Sequence, residues 1–295
     1  MKFAAIDIGS NAVRLLLSRV ILVGKYPLIK KESLIRIPIR LGEDAFIHKF
    51  ISDEKVKKLI STMKGFKHLI DAYQAIDYMA CATSAMREAA NGTEVVQKIQ
   101  QESEINLEII EGQKEADIIY ANHFEEKLDN DKPYLYIDVG GGSTEITIFS
   151  KNQSITSNSF NIGTVRLLHG LVPDEAWKAM QRWVTAIANE FPGLIGIGSG
   201  GNINKIFAMS RIKEDKPISY KKLKEFYKYL NTFSLDERIK ILGLRPDRAD
   251  VIIPAAEIFT SVMKWAKVKM MYVPQIGLSD GLIHLLYERH KARLN

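Results

Sequence analysis

The sequence predicts an α/β protein built from two related domains, on three observations. An apolar strand ending in Asp and Gly occurs twice, as Ile6-Asp7-Ile8-Gly9 and as Ile137-Asp138-Val139-Gly140. Each copy opens a run of three strands joined by short turns, which makes the neighbours antiparallel. Helical and strand patterns then alternate behind each run, and a length of 295 residues suits two cores better than one.

The elements follow in order. Lys2 to Ile8, Ala12 to Val20 and Pro27 to Ile39 read as strands. Ser52 caps a helix that runs to about Tyr73, Ile76 to Cys81 is a strand, and Ser84 to Gln101 is helical with a break at Asn91-Gly92. Asn106 to Ile110 is a short strand, Lys114 to Leu128 a helix, and Asp129 to Pro133 a linker. The second run comprises Tyr134 to Val139, Thr144 to Ser150 and Gln153 to Asn161. Helices at Asp174 to Glu190, Asn202 to Met209, Lys221 to Asn231, Ser234 to Leu242 and Arg248 to Lys267 enclose strands at Leu194 to Gly198 and Met270 to Val273. A last helix, Ser279 to Arg293, follows the second domain's final strand and can pack back on the first. The expected domains are therefore 1–128 with 279–295, and 129–278.

Composition narrows the class. Lys and Arg number 41 against 35 Asp and Glu, a formal charge of +6, and 46% of residues are hydrophobic. That balance belongs to a soluble globular protein rather than a disordered or fibrous one. The one cysteine, Cys81, excludes an internal disulfide, and six scattered histidines make no zinc cluster. The apolar stretch Phe3 to Ile6 meets Asp7 before a signal-peptide core can form, and no apolar run approaches the roughly 20 residues of a membrane span. A cytoplasmic protein without a membrane partner is expected. The positive balance reads either as a solubilising surface or as a preference for anionic partners.

Three loops place Gly, Ser, Thr or Asn after an apolar strand: Gly9-Ser10-Asn11, Gly140-Gly141-Gly142-Ser143-Thr144, and Gly198-Ser199-Gly200-Gly201-Asn202. Glycine lets backbone N–H groups approach a ligand together, which suits phosphate oxygens. The third loop feeds a helix start, whose unpaired amides favour anions. Each loop alone also reads as a plain turn; three of one design favour phosphate. There is neither a Walker-type Gly-Lys-Ser/Thr nor a dinucleotide fingerprint in context. Asp7 and Asp138, at strand ends, can reach a hydrated Mg²⁺, an ion commonly held by one or two carboxylates, water and phosphate oxygens. Glu145 lies beside the second loop. Glu115, just after Gly112, reads as an acid able to orient or deprotonate a water for attack on phosphorus, or as an ordinary first-turn acid. Ser84 and Arg87, in Ala82-Thr83-Ser84-Ala85-Met86-Arg87, read as phosphate contacts or as helix capping.

Together these strings resemble the exopolyphosphatase / guanosine pentaphosphate phosphohydrolase family of the actin, heat-shock chaperone and sugar-kinase superfamily. Beyond the loops, the resemblance takes in Gly112-Gln113-Lys114-Glu115-Ala116, Ile162 to Leu167, Arg248 to Ile252 and Gly277 to Gly281, nearly the whole chain. It implies two ribonuclease-H-like (actin-like ATPase) domains, mixed five-stranded sheets flanked by helices, and an active-site cleft between them. It further implies Mg²⁺-dependent hydrolysis of a terminal phosphoanhydride. By position, Glu115 resembles the family's catalytic base, and Asp138 and Glu145 its metal and water-positioning acids. Asp7, Gly9, Ser10, Asn11, Ser84, Arg87, Gly140, Gly141, Gly142, Ser143, Thr144, Gly198, Gly200 and Gly201 resemble phosphate-contacting groups. A homodimer is a family-level expectation.

The chain departs from the family pattern at Glu111 and Lys114 in the junction string, at Ser199 and Asn202 in the third loop, and at Ser279 near the C-terminus. With 295 residues the chain is expected to lack the helical extension of longer members, which bears on processivity along polyphosphate. The expected substrate is inorganic polyphosphate, with guanosine pentaphosphate (pppGpp) as the alternative. A non-turnover alarmone sensor and an actin-like ATPase or sugar kinase are the remaining readings, and a nucleic-acid partner is not expected. Lysines and arginines from Lys205 to Lys228 form either a basic track for a polyanion or a solvated helix face.

Overall fold

The computed structural model describes residues 1–24, 26–120, 129, 131–150 and 153–294. The expected continuation of a helix over 121–128 and Asn130 of the expected linker lie outside the described residues. The chain divides into two compact units, Met1–Asn122 with Gly277–Asn295, and His123–Ile276.

The first unit holds β1 (Lys2–Ile8), β2 (Val13–Val23), β3 (Tyr26–Ile37), β4 (Asp77–Ala82) and β5 (Glu108–Ile109), in the order β3-β2-β1-β4-β5. β1 is antiparallel to β2 and parallel to β4. The second holds β6 (Tyr134–Val139), β7 (Thr144–Ser150), β8 (Gln153–Phe160), β9 (Ile195–Ser199), β10 (Ile218–Ser219) and β11 (Met270–Tyr272), in the order β10-β11-β9-β6-β7-β8. β6 is antiparallel to β7 and parallel to β9. The two sheets thus share one plan: a three-strand meander whose first strand is central, and two parallel strands on that strand's other side. The second sheet has six strands rather than five, because Ile218–Ser219 adds an edge strand too short to carry a period in sequence.

The central strands read as apolar runs because both faces are covered. Phe3, Ala4, Ala5 and Ile6 are fully buried, as are Leu135 and Ile137. The helix Asp53–Tyr73 buries Val56, Leu59, Ile60, Met63, Phe66 and Ile70, one stripe at helical spacing. The expected break at Asn91-Gly92 separates helices Ser84–Glu88 and Gly92–Ser103, and it needs glycine: a Cβ on Gly92 would lie 2.1 Å from the Met86 carbonyl oxygen. In the second unit the helix Ile252–Trp265 is buried almost all round among five other helices. The expected helix from Arg248 is in fact two, Pro246–Ala249 and Ile252–Trp265. Pro254 falls in the first turn of the second, where its missing N–H costs nothing. Two further elements give no sequence signal, being about a turn or two long: the helical turns from Leu41 to His48, and the helix Thr164–Leu168.

The C-terminal helix Leu278–Leu294 packs on β1 and on the helix Gly112–Tyr120, both of the first unit. Asp280 anchors its start by accepting the Gly277 amide at 3.0 Å and pairing with Lys31 at 2.6 Å. Burial raises the Asp280 carboxyl above the usual carboxylate range, against the pull of Lys31. Arg289 pairs with Asp77 at 2.7 Å farther along. Gly281 sits where the two helices cross, and a Cβ there would lie 1.8 Å from the Ile118 carbonyl oxygen.

Gly281→Ala therefore forces backbone apart and lowers the unfolding free energy by about 3 kcal/mol, the upper range for overpacking, as measured by urea denaturation. Cys81 is buried on β4, and burial pushes its thiol up to about 12. The native protein at pH 8 holds it as the protonated, unreactive thiol. Iodoacetamide labels it only after unfolding, which mass spectrometry of native and denatured samples checks.

Candidate active site

The loop Gly140–Ser143 joins β6 to β7, and all four of its carbonyls are engaged by protein donors. Gly140 O accepts from the Thr164 amide at 3.0 Å and Gly141 O from the Val165 amide at 2.9 Å. Gly142 O accepts from Arg166 Nε at 2.7 Å, a buried bond, and Ser143 O accepts from the Gly140 amide at 3.0 Å. In a trans peptide the carbonyl of one residue and the amide of the next point in opposite directions. Fixing the carbonyls of Gly140, Gly141 and Gly142 therefore turns the amides of Gly141, Gly142 and Ser143 the other way. Among the described residues these three amides have no protein acceptor. Backbone amides left over in this way are able to receive an anion.

The surface that pins the loop is the start of the helix Thr164–Leu168. A Cβ on Gly163 would lie 2.4 Å from Gly141 O and 2.4 Å from the Gly142 carbonyl carbon, so only glycine allows this approach. Thr144 contributes differently from expectation: its hydroxyl donates to Ile162 O at 2.5 Å in a fully buried setting, so it fastens the loop.

The third loop lies beside the second. Gly200 takes a φ of 111°, and a Cβ there would lie 2.8 Å from Val139 O and 3.5 Å from Asp138 Oδ1. Gly201 opens the helix Gly201–Ser210, whose first amides have no side-chain cap. Gly198 has a packing role: it faces the core, where a Cβ would meet Met271 Sδ at 2.9 Å and Phe259 at 3.3 Å.

Asp138 and Glu145 are directly opposite each other on β6 and β7, and their carboxylate oxygens lie within 4.8 Å. Glu145 is buried and accepts from the Ser159 hydroxyl at 2.8 Å. Two ionised carboxylates this close repel each other, a cation between them relieves that repulsion, and hard oxygen donors of this kind suit Mg²⁺. The chemistry of the donor set therefore fits the expected metal.

In the first unit, Ser10 and Ser84, both buried, share a hydrogen bond at 2.9 Å, so the Gly9–Asn11 loop and the Thr83–Arg87 segment meet. The Gly9 amide closes the turn on Ala12 O at 3.1 Å. Ser10 O and Asn11 O accept from the amides of Gly42 and Arg40 at 2.7 and 3.0 Å. The residues 40–42 thus hold this loop by its carbonyls, as 164–166 hold the other. Arg87 donates to Ile110 O at 2.6 Å and lies 3.6 Å from Glu111, tying it to the start of the helix that carries Glu115. Lys114 pairs with Glu108 at 2.5 Å on the exposed side.

Asp7 is buried, and Arg14 donates to its Oδ2 at 2.5 Å, so a phosphate or metal there would share the carboxylate with Arg14. Arg14 is opposite Asp7 on β2, and Arg36 is opposite Arg14 on β3. The matching row in the second sheet is Asp138, Glu145 and Ser159. Arg14, Arg36, Gly42 and Arg166 were not legible as site residues from sequence; the strand register of the duplicated aspartates is the signal that finds the first two. The expected basic track is also divided. Lys216 pairs with Asp215 and Lys222 with Glu225, while Lys221 lies at the far end of the sheet from the glycine loops. No helix among the described residues is long and apolar enough to cross a membrane.

A bifunctional 3-dehydroquinate synthase/phosphatase of Fusobacterium nucleatum is 29% identical over 290 residues; these cover 89% of this chain and 43% of that protein's length. A putative exopolyphosphatase of Haemophilus influenzae is 23% identical, covering 97% of this chain and 91% of its own. The crystal structure of an exopolyphosphatase from Cytophaga hutchinsonii has the same fold, with a TM-score of 0.84, 23% identity and 98% coverage of both chains. The description of the Ppx/GppA phosphatase family matches residues 34–290, and this chain belongs to that family.

Proposed function

We propose that this protein removes terminal phosphate from inorganic polyphosphate, with Mg²⁺ held by Asp138 and Glu145. The observation that carries the reading is the set of three outward amides at Gly141, Gly142 and Ser143 next to that acidic pair. The near full-length match to a protein named a putative exopolyphosphatase is the reason polyphosphate is put first, with pppGpp as the alternative.

In this reading the amides receive the oxygens of the terminal phosphate, with the first turn of the helix Gly201–Ser210 adding donors. Ser10, Asn11, Ser84 and Arg87 receive phosphate oxygens from the first unit. Mg²⁺, when bound, offsets the phosphate charge and polarises the phosphorus–oxygen bond. Glu115 takes a proton from the attacking water. Oxygen of that water bonds to the terminal phosphorus, the bridging bond breaks, and orthophosphate leaves with the shortened chain as the other product. Arg14, kept in place by Asp7, adds positive charge on the first sheet.

The test is phosphate release, with and without Mg²⁺, from long polyphosphate, tripolyphosphate, pppGpp and ATP. Faster release from the polyphosphates is expected. Faster release from pppGpp transfers the assignment to the nucleotide, and no release from any of them favours a sensor. Glu115→Gln lowers kcat about a thousandfold, a general-base loss, with an unchanged unfolding midpoint. Unchanged kcat would falsify that role. Arg166→Met leaves Gly142 O without its buried donor, costing about 2 kcal/mol, and the loosened loop raises KM about tenfold. Steady-state kinetics on tripolyphosphate separates this from an effect on kcat.

A further inference from the structure

The second unit carries an open surface recess of about 450 Å³ where β10 and β11 meet the helices Tyr220–Asn231 and Ile252–Trp265. Four lysines line it, all of them exposed: Lys221, Lys264, Lys267, which donates to Asn189 Oδ1 at 3.4 Å, and Lys269. No acidic residue does, and among the described residues no carboxylate pairs with any of the four. Tyr220, Met263, Val268 and Met270 supply an apolar lining, with Met263 and Val268 buried.

The local chain path explains how the lysines converge. Ser219 pairs with Met270 across the two strands, and the Tyr220 amide donates to Lys269 O at 2.9 Å. Lys267 takes a left-handed φ of 54°, and the Val268 amide returns to Met263 O at 2.9 Å, closing the end of the helix Ile252–Trp265. Lysines at that end suit the helix dipole and need no ligand. Lys221 is the opposite case. It stands with Lys222 in the first turn of the helix Tyr220–Asn231, where no acid is present and where positive charge is disfavoured.

The recess is separate from the glycine loops. β11 runs parallel to β9 with Met271 beside Gly196, which puts Met270 level with the start of β9. The loop at Gly200 follows the end of β9, about 13 Å along the strand at 3.3 Å per residue.

We propose that this recess binds an organic anion: a phosphate or carboxylate head held by the lysines, on an aromatic or aliphatic body held by Tyr220, Met263, Val268 and Met270. Four like charges around an apolar recess raise a local positive potential that attracts an anion, and the apolar lining selects an amphipathic one over a bare polyphosphate.

The test uses the fluorescent aromatic sulfonate 8-anilinonaphthalene-1-sulfonate on the full chain. Saturable binding is expected, with at least tenfold weaker binding in Lys264→Glu/Lys269→Glu. The unfolding midpoint of that variant is expected to hold or rise, because like-charge repulsion is relieved. Lys264→Gln/Lys269→Gln serves if the Glu variant does not fold. Competition then distinguishes the source of the head group. Displacement by AMP identifies an organic phosphate and displacement by decanoate a carboxylate, and either supports the site. Binding unaffected by both variants overturns it, as does displacement by tripolyphosphate as effective as by the organic anions.

Discussion

The rest of the site depends on one constraint, the satisfaction of four carbonyls in Gly140–Ser143. A glycine loop left to itself can turn its peptides many ways, which is the entropy glycine carries. Here the amides of Thr164 and Val165, the side chain of Arg166 and the loop's own Gly140 amide take up every carbonyl. Peptide planarity then fixes where the following amides point. The absent Cβ of Gly163 permits the contact, and the buried Thr144 hydroxyl secures its base. Donors aimed in advance stabilise charge without reorganising during reaction, which is where much of the strength of such loops lies.

The duplicated sheets show how one scaffold serves two electrostatic tasks. The same three register positions hold Asp7, Arg14 and Arg36 in the first sheet and Asp138, Glu145 and Ser159 in the second. Keeping Asp and changing its neighbour from Arg to Glu converts a neutralised carboxylate into an acidic pair. Only the second row has the donor chemistry of a divalent cation site. That exchange of sign leaves one acidic row in the twofold repeat.

The sequence showed the two-part α/β plan because central strands are apolar throughout and the Asp-Gly ending recurs. It also showed the loops, since consecutive glycines between a strand and Ser-Thr-Glu have few other uses. It hid what holds the loops. Arg166 and Gly42 act through carbonyls distant in the chain, and a five-residue helix such as Thr164–Leu168 has no period to read. Asp7 looked like its repeat Asp138 because strand register, which brings Arg14 opposite it, is a tertiary fact. Gly198 resembled a loop glycine although its neighbours are Met271 and Phe259. The Lys-rich block could not be divided without knowing that β10 lies at the sheet edge, which moves Lys221 away from the glycine loops.

The central claim is that the loop is an anion receptor because its carbonyls are already spent. Amide ¹H–¹⁵N spectra of the isotope-labelled protein, titrated with pyrophosphate and Mg²⁺, address it directly. The amides of Gly141, Gly142 and Ser143 should shift together and saturate at one affinity, while Gly140, already bonded to Ser143 O, moves little. Saturable binding that leaves those three amides unmoved would contradict the account.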